Sequence, residues 1–142
     1  MNLQKTTALA NKLTESLSID HIKKWSKEMI QIPSQNPMSE GPSKGFREKE
    51  IGEYYLQEMG ALGLNVQSRE VIEGRSNVFG ILPGTSSEYS LMFAGHLDTV
   101  PTEGYKNPFE ASEADGKIYG RGACDMKAAM ACYLEVARLI IK

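Results

Sequence analysis

One histidine and two aspartates carry the chemistry that this sequence offers. His96 and Asp98 stand two apart in Gly95-His96-Leu97-Asp98-Thr99-Val100-Pro101, and Asp125 follows two glycines in Gly120-Arg121-Gly122-Ala123-Cys124-Asp125-Met126-Lys127. On an extended segment, side chains two apart leave the same face. A neutral imidazole is a good zinc ligand, and a neighbouring carboxylate can hold its ring and set its tautomer. Glycines before Asp125 permit the backbone angles that bring a carboxylate in close, and its two oxygens can bridge two cations. The set suggests a hydrolytic metal site. It does not complete one.

Plainer readings fit the same residues one at a time. An isolated His-x-Asp is also a surface hydrogen-bonded pair, and an Asp that opens a helix is also an N-cap. A phosphate-loop reading of Gly120-x-Gly122 fails, because Asp125 stands where the third glycine of GxGxxG belongs and would repel phosphate. Cys124 reads as a small packed residue rather than a nucleophile, since His96 already has Asp98 beside it. His21, among Lys23, Lys24 and Lys27, reads as solvent-facing.

The elements that must position these residues follow from periodicity. Leu3, Thr6, Ala10, Leu13 and Leu17 form the stripe of an amphipathic helix. Ser18 or Asp20 can cap a second, with Ile22, Trp25, Met29 and Ile32 on one side. Pro33 stops it and opens a Pro- and Gly-punctuated loop to Gly45, and a third helix covers Phe46 to Leu62 with Gly63 as C-cap. Leu64 to Ile72 reads as an edge strand and Asn77 to Leu82 as its successor. Tyr89 to Ala94, apolar nearly throughout, reads as a central strand covered on both faces, with His96 and Asp98 at its carboxyl end. Asp115-Gly116 marks a type I′ hairpin within Glu110 to Tyr119. Met126, Met130, Tyr133, Ala137 and Ile140 mark a last helix. This order predicts an α/β fold, a mixed sheet flanked by helices.

Composition narrows the function classes. The 142 residues suit one domain with a sizeable core, and 41% apolar with 24% charged residues is ordinary for a globular protein. A net charge of −2 gives no basic field for nucleic acid. No apolar run reaches the roughly 20 residues of a membrane span, and the N-terminal residues lead into no signal-peptide core. Glu15 and the absence of Arg nearby argue against a transit peptide. Cys124 and Cys132 form neither a CxxC pair nor a disulfide framework, so a reducing, cytoplasmic setting is expected.

Taken together, the segments 95–101 and 120–127 resemble the two signature segments of the co-catalytic zinc peptidases and deacylases. That family includes acetylornithine deacetylase, succinyl-diaminopimelate desuccinylase, aminoacylase and glutamate carboxypeptidase. The likeness extends through Ile32-Pro33-Ser34, Asn107-Pro108-Phe109 and the Asp115-Gly116 hairpin, with Ala128 where many relatives have Gly.

The resemblance implies that His96 is a ligand of one zinc, that Asp98 is the catalytic residue orienting His96, and that Asp125 bridges two zincs, for which Co2+ can substitute. It also implies that a cis Asp125–Met126 peptide is possible. The implied reaction is hydrolysis of the amide bond of an N-acyl amino acid or small peptide. The family's Glu-Glu pair, further acidic ligand and late His have no counterpart: after Asp125 the only acid is Glu135 and no His follows. Residues 1–142 are therefore expected to be an incomplete N-terminal part of the catalytic domain, inactive alone. An inserted dimerisation domain and the C-terminal half are missing, and the full-length form is expected to be a homodimer. The rival expectation is a non-enzymatic remnant or small binding module that keeps the start of the fold.

Overall fold

The computed structural model describes residues 3–37, 48–86 and 88–141. Its order is α1 (Leu3–Glu15), α2 (Ile19–Gln31), α3 (Glu48–Ala61), β1 (Asn65–Ile72), β2 (Arg75–Ile81), β3 (Ser112–Ala114), β4 (Lys117–Tyr119) and α4 (Ala128–Ile141). The fold is an α/β arrangement of helices with small antiparallel sheets. Most of the loop predicted up to Gly45, and the first two residues of the predicted third helix, lie outside the described residues.

The core is built where the helical stripes meet. Ser18 caps α2 by accepting from the His21 N–H at 3.2 Å, satisfying one of the free donors of the first turn. From there Trp25 and Met29 of α2 meet Ile51, Tyr55 and Met59 of α3 and Met130, Ala131 and Leu134 of α4. Polar atoms on these side chains find partners. Trp25 Nε1 donates to Glu58 at 2.7 Å, and the Tyr55 hydroxyl donates to the Met130 carbonyl at 3.0 Å. The helix predicted first is present as α1, but Thr6, Ala10 and Leu17 of its predicted stripe are exposed.

The predicted hairpin forms, and the two strands predicted before it pair as another. β1 pairs antiparallel with β2 around Gly74, and β3 with β4 around Asp115-Gly116, whose φ values of 51° and 71° are those a type I′ turn demands. The first hairpin lies on α3, with Val78 facing Gly52. Among the described residues the sheet content is thus antiparallel pairs plus one parallel bridge, Gln35 to Thr99.

The predicted central strand differs. Residues 89–94 make no ladder with any described residue, and Tyr89, Leu91 and Met92 are 85%, 77% and 83% exposed. A strand buried on both faces needs a paired neighbour and layers above and below, and the described residues supply little of either. Phe93 stacks on Tyr133 of α4 with ring centroids 5.0 Å apart, and the Tyr133 hydroxyl donates to the Ala94 carbonyl at 3.5 Å.

Candidate functional site

The first half of the site is laid down beside the end of α2. Pro33 ends the helical path, and Ser34, Gln35 and Asn36 run parallel to 97–99. The Ser34 hydroxyl donates to the Leu97 carbonyl at 2.7 Å. The Thr99 N–H donates to Ser34 and the Asn36 N–H to Thr99, both at 2.8 Å. These bonds fix the backbone that carries His96 and Asp98. The Asn36 amide then donates to Asp98 Oδ2 at 2.7 Å.

The second half is a distorted turn, Ala123–Lys127, leading into α4. Gly122 enters it with φ 82°, and a Cβ there would lie 2.6 Å from the Thr99 methyl, so the position excludes a side chain twice over. Asp125 and Met126 depart from helical angles, and the peptide between them is cis, as the resemblance allowed. Asp125 therefore does not sit as a helix N-cap. Its side chain is 84% exposed and turned to His96.

The two halves meet at the imidazole. His96 Nε2 lies 3.0 Å from Asp125 Oδ1, while Nδ1 lies 3.0 Å from the Asp98 carbonyl and 3.2 Å from its carboxylate. Partial burial pulls the His96 pKa down, but the hydrogen bonds to Asp125 and Asp98 and their charges outweigh it and raise the group above 6.5. The structure thus brings together all three residues singled out in the sequence. They open on a cleft of about 240 Å³, also lined by Asn36, Tyr105 and Arg121. Among the described residues no group of three or more His, Cys, Asp or Glu could hold a metal ion. An imidazole nitrogen facing a carboxylate oxygen across 3.0 Å, with the other ring nitrogen already engaged, nevertheless fits part of the donor set of a borderline cation.

Sequence reasoning missed Lys127. Its side chain is fully buried and its ammonium donates to the Met29 and Ile32 carbonyls, at 2.8 and 2.9 Å, at the end of α2. Burial pulls its pKa down to about 8. A signal was present: a cation in the first turn of a helix opposes the macrodipole, so a lysine there needs a partner elsewhere. His21 is exposed, as expected. Its Nδ1 lies 3.3 Å from buried Glu135.

Residues 92–142, which hold both signature segments, match the model of peptidase family M20/M25/M40. The match supports an M20-family peptidase or deacylase. It is similar to a succinyl-diaminopimelate desuccinylase of Rickettsia typhi, 44% identical over 72 residues, which are 47% of this chain and 18% of the relative. It is also similar to an N-formyl-4-amino-5-aminomethyl-2-methylpyrimidine deformylase of Bacillus subtilis. That match is 33% identical over 126 residues, 84% of this chain and 30% of the relative. A desuccinylase of Rickettsia rickettsii (strain Sheila Smith) matches at 32% over 123 residues, 83% and 30%. The chain therefore spans less than a third of the length of these M20/M25/M40 relatives.

Proposed function

We propose that the chain supplies part of a two-zinc site for hydrolysing the amide bond of an N-acyl amino acid or small peptide. The observation that carries this reading is the His96–Asp125 approach, 3.0 Å between residues 29 apart in sequence. His96 and Asp125 would hold zinc, with Co2+ as a substitute. Asp98 holds the ring from its Nδ1 side, and Asp125 keeps a second oxygen for another cation. When bound, the metal supplies Lewis acidity toward the amide carbonyl. The printed names of the relatives, a desuccinylase and a deformylase, support removal of an acyl group.

Zinc sites generally use three or four protein ligands, and this set offers fewer. The 142-residue chain should accordingly bind at most one zinc, weakly, and show no measurable turnover of N-acyl amino acids. Calorimetric zinc titration of the chain and of His96→Ala and Asp125→Asn tests the assignment. Each substitution should abolish the weak binding, and unchanged binding in both would overturn it. Turnover by the unaltered chain would refute its inactivity. A complete enzyme is proposed to be a homodimer. The free, exposed thiols of Cys124 and Cys132 support a reducing, cytoplasmic setting.

A further inference from the structure

The cleft has a second wall that the zinc reading leaves unused. Arg121 lines it with its guanidinium over the Tyr105 ring, 5.0 Å from the centroid. Its backbone is held, because the Arg121 N–H donates to the Pro108 carbonyl at 2.6 Å. The two acids of the cleft are engaged elsewhere: Asp98 with Asn36 and His96, and Asp125 with His96. Among the described residues four buried side-chain polar atoms lack a hydrogen-bond partner, and three belong to this cleft: Asn36 Oδ1, Thr99 Oγ1 and Arg121 Nε. Thr99 is 3% exposed, so its hydroxyl is removed from bulk water as well as unpaired. Buried polar atoms without partners are uncommon, and three in the lining of one cleft indicate a polar guest.

We propose that Arg121, braced on Tyr105 and backed by Thr99 and Asn36, forms a carboxylate-binding subsite in the cleft that holds the His96–Asp125 pair. Arg121 is the only lysine or arginine among the residues lining the cleft. A guanidinium offers a planar fork of donors that matches a carboxylate, and stacking on an aromatic ring keeps the fork in one plane. Thr99 Oγ1 can donate or accept, and Asn36 Oδ1 can accept from a water that the guest brings with it. The subsite deepens the amide-hydrolase reading and rests on it for the identity of the guest, the carboxylate of an acyl amino acid. It would orient the scissile amide toward the metal side of the cleft.

The test is a titration of isotope-labelled, metal-free chain with succinate in the presence of a chelator, followed by amide chemical shifts. Succinate should shift resonances of Asn36, Thr99 and 120–122 saturably, and the neutral isostere succinamide should not. Arg121→Gln should weaken succinate at least about tenfold, the loss of a charge-assisted pair. Arg121→Lys should recover part of that affinity. Thr99→Val, which keeps the shape, should weaken it about threefold, and dispersed spectra will show that each variant folds. The subsite is overturned by absence of saturable succinate binding, by equal binding of succinamide, or by unchanged affinity in Arg121→Gln. Because metal is excluded, a failed zinc titration leaves this result standing, and a failed succinate titration leaves the zinc reading standing.

Discussion

Lys127 shows how one side chain can join two pieces of a site. Its ammonium is bound to the end of α2, the same end from which Ser34 and Asn36 reach the segment carrying His96 and Asp98. Lys127→Met keeps the length and removes the donors, leaving the Ile32 carbonyl short of its partner. Urea unfolding should show a loss of about 1–3 kcal/mol. An unchanged midpoint would mean that these bonds do not hold the turn. Gly122→Ala should cost a similar amount, about 1–3 kcal/mol, because the left-handed backbone and the Thr99 methyl both oppose a Cβ. Its thermal midpoint should fall accordingly. The roles of Lys127, Asn36 and Arg121 were not legible in the sequence, and the reason is distance. Lys127 finds its acceptors 98 and 95 residues away and Asn36 its carboxylate 62 away, so a local pattern can mark Lys127 as needing a partner but names neither residue's partner. His96, Asp98 and Asp125 were legible because their types and glycine neighbours are unusual together.

At the scale of elements, Glu135 ties α4 to the junction of α1 and α2. It is buried and accepts from the Ser18 N–H at 2.7 Å and from Arg138 at 2.7 and 2.6 Å, while Arg138 also donates to the Ser16 carbonyl at 2.8 Å. Burial by itself raises the Glu135 pKa, but Arg138 and the Ser18 N–H outweigh it and bring the group from 4.5 to about 2. The folded pKa lies below the unfolded one, so the unfolded chain takes up the proton first as pH falls. The stabilisation is complete above pH 4.5 and is lost progressively toward pH 2. It amounts to about 3 kcal/mol. Equilibrium unfolding across this range should show that slope, and Glu135→Gln should flatten it. The hairpin at Asp115-Gly116 was legible because that pair acts locally, and β1 and β2 were legible as strands though their pairing was not read. The helix α2 was legible from its stripe, of which Trp25 and Met29 became core.

For the whole molecule, the strip from Tyr89 to Phe93 is the feature that local pattern misjudged. Its apolar run reads as a central strand, yet centrality depends on neighbours, and those are not properties of the run itself. Side chains of Tyr89, Leu91 and Met92 stand in solvent, while Phe93 next to them rests on Tyr133 of α4. Exposed apolar segments of this kind favour association between copies. The apparent molar mass from static light scattering of the chain should therefore rise with concentration. The double substitution Leu91→Lys and Met92→Glu should suppress that rise without moving the unfolding midpoint, since neither side chain is buried. Scattering indifferent to the substitutions would locate the contact elsewhere.

The bonding around the end of α2 has an optical consequence. Trp25 is the chain's only tryptophan, and it lies buried on the helix whose last carbonyls receive Lys127. Its indole N–H is fixed to Glu58 of α3, so the chromophore senses both helices beneath the cleft. Emission from a single native residue thus reports on the foundation of the His96–Asp125 arrangement, with no dye or engineered label. A red shift that precedes global unfolding would reveal the footing of the site loosening before the rest of the chain.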